Sequence, residues 1–75
     1  MDQDSLSRLG QRLRDRRQAL GWTQEELATH AGIDRSYIGG VERGRRNLTF
    51  TVLCQIAHAL GCDVADLTHD IPAKT

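Results

Sequence analysis

Residues 23–42, TQEELATHAGIDRSYIGGVE, decide how this chain folds. Thr23 followed three residues later by Glu26 is a capping box, in which each side chain satisfies a backbone amide left unpaired at a helix start. It predicts a helix from Gln24 to about His30, with Leu27, Ala28 and Ala31 turned inward. Gly32 suits the left-handed residue that ends such a helix, and Asp34 caps the next one, whose inward face is Ile38 and Val41. Two short helices joined by so short a glycine-containing turn have the form of a helix-turn-helix unit.

The flanks extend this pattern. In residues 5–21, SLSRLGQRLRDRRQALG, the leucines Leu6, Leu9, Leu13 and Leu20 share one helical face and Gly21 supplies a stop. Downstream, Thr49 caps a fourth helix that carries Phe50, Leu53, Ile56, Ala57 and Leu60 before Gly61 closes it. Asp63 then caps a short fifth helix with Val64 and Leu67 inward, and residues 71–75 are expected to fray because Pro72 blocks continuation. The expected fold is therefore all-α: one compact five-helix domain over residues 1–75, ordered from about 5 to 70, with no repeat or linker.

Composition agrees with this. The 75 residues are 39% hydrophobic and 27% charged, with one proline and three aromatics, which favours helices over sheet. No apolar run approaches the ~20 residues needed to span a bilayer, and the acidic start lacks the regions of a signal peptide, so the expected location is the cytoplasm. Cys54 and Cys62 are too few for a disulfide framework and are read as thiols.

A formal net charge of zero hides segregation. Residues 8–17 hold five arginines against one aspartate, and residues 35–46 hold four arginines against one glutamate, while the rest is acidic. A polyanion facing one side of the molecule would suit that arrangement. Two charges also stand where apolar residues belong: Arg17 lies four after Leu13, and Glu42 four after Ile38. Opposite charges turned toward one core should pair, giving a structural bridge from the first helix to the end of the third.

On the opposite face of the third helix, Ser36, Gly39, Gly40 and Arg43 follow the i, i+3, i+4, i+7 spacing. Arg35 stands in the first turn, where a recognition helix offers side chains to base edges. A solvated surface would explain charges alone, but not the short turn and the clustered arginines together. Gly39 and Gly40, costly inside a helix, are expected to leave a bare surface for close approach to a groove wall.

Other constellations carry less. Cys54, His58 and Cys62 recur every four residues, with His69 as a conceivable fourth donor, but Gly61 interrupts the helix and there is no CxxC. Neither a metal nor another cofactor is expected, and His30 is read as a surface residue. No nucleophile, base and orienting group occur together, so an enzyme is not expected. Glu25 and Glu26 act first as partners of the helix dipole, each worth about 0.3 to 1 kcal/mol.

Thr23-Gln24-Glu25-Glu26-Leu27-Ala28, Ala31-Gly32, Ile38 and Glu42, in register, resemble the XRE-type, lambda-repressor-like helix-turn-helix regulators over residues 9–67. Residues 34–38, then Glu42-Arg43 and Arg46-Asn47-Leu48-Thr49, are similar to the controller proteins of restriction-modification systems. The resemblance implies a homodimer on an inverted-repeat operator, with residues 35–43 of each subunit in the major groove. It implies that Gln24 holds a phosphate, that Arg35 and Ser36 read bases, and that Tyr37 touches backbone or a thymine methyl. Arg43, Arg45, Arg46 and Asn47 would grip flanking phosphates or an adjacent base edge. Glu25 would offer a surface to a polymerase sigma subunit. Gly40 departs from repressors that read a base there, which shifts weight to Arg35 and to DNA shape. Apolar residues left over from the last two helices, Val52, Ile56, Val64 and Ile71, are the expected dimer interface. The alternative is a protein-interaction module, such as an antitoxin-like partner built on the same fold.

Overall fold

The computed structural model describes residues 2–73, and among the described residues every regular element is a helix. They are α1 (Gln3–Ala19), α2 (Gln24–Ala31), α3 (Arg35–Glu42), α4 (Phe50–Leu60) and α5 (Val64–Thr68). Local chemistry sets the starts. Thr23 and Glu26 form the reciprocal capping box, at 3.1 and 2.9 Å, while Asp34 accepts from the Ser36 amide and Thr49 from the Val52 amide. Asp2, which the sequence reading passed over, accepts from the Ser5 amide at 2.8 Å and starts α1 ahead of its first leucine. Gly32 ends α2 at φ 69°, the left-handed region where a side chain is strained.

The core is a single cluster in which Leu9 and Leu13 of α1, Leu27 of α2, Ile38 and Val41 of α3, Ile56 of α4 and Leu67 of α5 are sealed from solvent. α3 packs on α1 and α2, α2 also packs on α4, and α5 lies against α1 and α4. α3 thus has one face buried in the bundle and one turned away from it.

Several expectations need correction. Leu20 is 48% exposed, because α1 ends at Ala19 and Leu20 is its cap, past the last buried residue of the stripe. Phe50 is 71% exposed; it opens α4 at the edge of the stripe formed by Leu53, Ile56, Ala57 and Leu60, and nothing among the described residues covers that end. Ile56 is fully buried within the bundle and so leaves the expected dimer set, whereas Val52, Val64 and Ile71 remain half-exposed on the core's margin. Ile71, placed in the fraying tail, packs against the core, and its amide donates to the Thr68 carbonyl. The tail's last two residues, Lys74 and Thr75, fall outside the described residues.

Gly10 was not anticipated at all. It sits where α1 crosses the end of α3, and a Cβ there would run into the backbone carbonyl oxygens of Val41 and Glu42. Backbone cannot yield as a side chain tip does, so the close crossing requires glycine. Gly10→Ala should therefore destabilise the domain by about 1 to 3 kcal/mol, the cost of overpacking. Urea unfolding checks this, since helix propensity alone would give a gain of about 0.5 to 1 kcal/mol.

Candidate nucleic-acid interface

The inward end of α3 is fixed by charge. Arg17 donates to Glu42 through Nε to Oε2 at 2.7 Å and through Nη2 to Oε1 at 2.9 Å, while its Nη1 donates to the Trp22 carbonyl at 2.7 Å. Gln24 Nε2 and Arg14 Nε complete the set on Glu42 Oε1, at 3.2 and 3.4 Å. The Glu42 side chain has no solvent access. Burial alone would push its carboxyl pKa up, but hydrogen bonds from Arg17 and Gln24 and the Arg17 charge outweigh this and hold it below the usual glutamate range. Two-pronged arginine–carboxylate pairing also fixes direction, because both partners are planar.

The turn after α3 is held from the other side. Gly44, at φ 72°, presses against Ser7 of α1, where a Cβ would stand 2.9 Å from the Ser7 Oγ. Gln3 Nε2 donates to the Gly44 carbonyl at 2.9 Å. Glycine following a predicted helix was the available signal, but its contact with α1 depends on the tertiary fold.

With its inner face closed by Ile38, Val41 and Glu42, α3 turns Arg35 and Ser36 outward at its start. The Asp34 carboxyl just before them is held below its usual pKa by the Ser36 side chain and amide. Arg43, Arg45, Arg46 and Asn47 are exposed at the other end. Tyr37, half-buried, donates its hydroxyl to the Asn47 carbonyl at 3.1 Å, and its ring lies 5.3 Å from the Arg46 guanidinium carbon. Gln24 is half-buried against α3, at Glu42 and beside Gly39.

The glycine pair differs from expectation. Gly39 and Gly40 are buried, not bare. A Cβ on Gly39 would stand 3.2 Å from Arg43 Nη1 and 3.3 Å from Gln24 Oε1, and one on Gly40 would stand 2.9 Å from Arg46 Cγ. Long side chains fold back over the helix and cover the space that the glycines leave. Sequence periodicity places residues on a face but does not say what lies over them.

Elsewhere, Glu25 is exposed and lines a shallow hollow with Thr23, Glu26, Thr29 and His30. His30 is a surface residue that also stacks on Trp22, ring centroids 4.2 Å apart and 2° from parallel, a pair the sequence reading missed. Among the described residues, no three His, Cys, Asp or Glu side chains are grouped to hold a metal ion.

The helix-turn-helix family model HTH_3 matches residues 13–67. A hypothetical transcription factor of Neisseria meningitidis is 42% identical over 60 residues, 80% of this chain and 57% of that protein, so the chain spans little more than half of that relative. The solved restriction-modification controller protein C.AhdI from Aeromonas hydrophila is 47% identical, with a TM-score of 0.84 over 85% of this chain and 97% of its own. The controller protein C.Esp1396I, solved as a tetramer in complex with its natural 35 base-pair operator, is 35% identical, with a TM-score of 0.81 over 88% of this chain and 87% of its own.

Breaking the buried pair isolates a charge in the core. Arg17→Met should cost about 3 to 5 kcal/mol in urea unfolding. Because the folded pKa of Glu42 lies below the unfolded one, its stabilisation is complete above the ordinary glutamate value of about 4.3 and is lost as pH falls through the lower folded value. Unfolding measured against pH should show that acid limb in the natural protein and lose its Glu42 component in Glu42→Gln.

Proposed function

The chain belongs to the helix-turn-helix family, and from that premise we propose that it is a sequence-specific double-stranded DNA-binding transcriptional regulator. In this reading it works as a homodimer on an inverted repeat, as a controller of the restriction-modification type. One observation carries the proposal: α3 is locked into the bundle along Ile38, Val41 and Glu42 while its opposite side presents Arg35 and Ser36 with a basic cluster beyond them.

Arg35 and Ser36 enter the major groove as base readers, and Tyr37 faces backbone or a thymine methyl. Gln24, Arg43, Arg45, Arg46 and Asn47 hold the flanking phosphates or an adjacent base edge. A two-fold dimer places two copies of α3 in successive grooves about 34 Å apart. Val52, Val64 and Ile71 supply its apolar contact. Regulation is by occupancy, with Glu25 as the surface offered to a polymerase sigma subunit. No described helix is long and apolar enough to cross a membrane, and the proposed place of action is the cytoplasm.

Selection of bound duplexes from a random pool tests this directly. Wild type should enrich a two-fold symmetric site, and Arg35→Ala should lose preference at one base pair per half-site, where a bidentate arginine to guanine discriminates by about 1 to 3 kcal/mol. Arg45→Ala should instead weaken binding to all sequences and lower the salt slope by about one. An Arg35→Ala protein with an unchanged sequence preference would overturn the assignment.

A further inference from the structure

The burial of Gly40 points to a role for it that a bare helix surface does not supply. Gly40 lies on the side of α3 that also carries Ser36 and Arg43, yet it is covered, and what covers it is Arg46. A Cβ at Gly40 would stand 2.9 Å from Arg46 Cγ, 3.5 Å from Nε and 3.7 Å from Cδ, so the arginine stem runs across α3 where a side chain is missing. The head continues to Tyr37, whose ring centroid is 5.3 Å from the guanidinium carbon. Tyr37 in turn ties the strand of chain after α3 back to the helix through its hydroxyl and the Asn47 carbonyl.

Arginine normally loses much rotamer freedom when it is ordered. Here the stem gains a flat surface and the head an aromatic face, both inside one rigid neighbourhood. We propose that Gly40 is a positioning residue for DNA recognition: its missing Cβ is the seat that lets Arg46 lie across α3 and hold its guanidinium over Tyr37, already placed before DNA arrives. The proposal rests on the DNA-binding reading given above. It differs from close approach of a bare helix to the groove wall, because the groove's partner is the seated arginine and not the glycine backbone.

The two accounts separate in a double-mutant cycle of wild type, Gly40→Ala, Arg46→Ala and the double variant, read with the duplex that wild type selects and with a random duplex. Alanine is a better helix residue than glycine, but its Cβ would stand 2.9 Å from Arg46 Cγ, so Gly40→Ala should stay folded with its helix gain offset by the cost of moving Arg46. Its affinity for the chosen duplex should nonetheless fall about tenfold, the scale of one displaced charge-assisted contact. Arg46→Ala should lose at least as much, and adding Gly40→Ala to it should lose nothing further. In the free protein, the NMR shifts of the Arg46 Nε–H and the Tyr37 ring should move in Gly40→Ala, the Tyr37 shifts toward those of Arg46→Ala.

Losses that add in the double variant would show the new methyl meeting DNA directly and overturn the seating. Unmoved Arg46 and Tyr37 resonances in Gly40→Ala would overturn it without any DNA present. Failure of the DNA reading itself shows differently, as a wild-type protein that enriches no duplex, and it removes the proposal with it.

Discussion

A carboxylate inside an aliphatic core is tolerated only with its charge and lone pairs fully engaged, and Glu42 is that carboxylate. Its partners come from α1, through Arg14 and Arg17, and from α2, through Gln24. Arg17 extends the same network to the Trp22 carbonyl in the intervening turn. Three pieces of chain are thereby tied to the last residue of α3. Gly10 allows α1 and α3 to approach closely, and Gly44 turns the following segment against Ser7. Among the described residues, no buried side-chain nitrogen or oxygen is left unpartnered. Breaking one half of the network is costly, but replacing the whole by hydrophobic side chains that fill the same space often serves stability as well. What the network adds is direction: planar, two-pronged bonds set how α3 lies, and so where Arg35 and Ser36 point.

The zero net charge makes this direction matter. Without an overall positive field, long-range attraction to a polyanion depends on how the arginines are gathered. They are gathered at α1 and at the two ends of α3. With glycine at two central positions of α3, few side chains remain to read bases directly, and the balance shifts toward Arg35 and toward sequence-dependent DNA shape. Phe50, at the start of α4, is strongly exposed.

Much of the fold was legible because its determinants are local. Thr23 with Glu26, Asp34, Thr49 and the ending glycines act within a few residues, so element type and boundaries can be read directly from the chain. Arg17 and Glu42 were legible for a different reason: a charge that falls in an apolar stripe must find a countercharge, and only one was available on a facing stripe. The rest depends on three-dimensional proximity. That Gly10 faces two carbonyls of α3, or that Arg46 lies over Gly40, follows from how distant segments meet. Periodicity likewise put Leu20 and Phe50 on apolar faces, but both sit at helix ends where the stripe outruns its neighbours. It offered Ile56 to a partner chain although the bundle already consumes it.

The claim that the Glu42 pair aims the reading face is most directly tested by replacing the pair as a whole. The Arg17→Met/Glu42→Leu protein should keep its helical content and unfold near or above the wild-type temperature, as filled hydrophobic replacements of buried pairs do. Its preference for the wild-type-selected duplex over random DNA should still fall, because Gln24 and Arg14 lose their shared acceptor and α3 its directional hold. A folded double variant as selective as wild type would contradict the account.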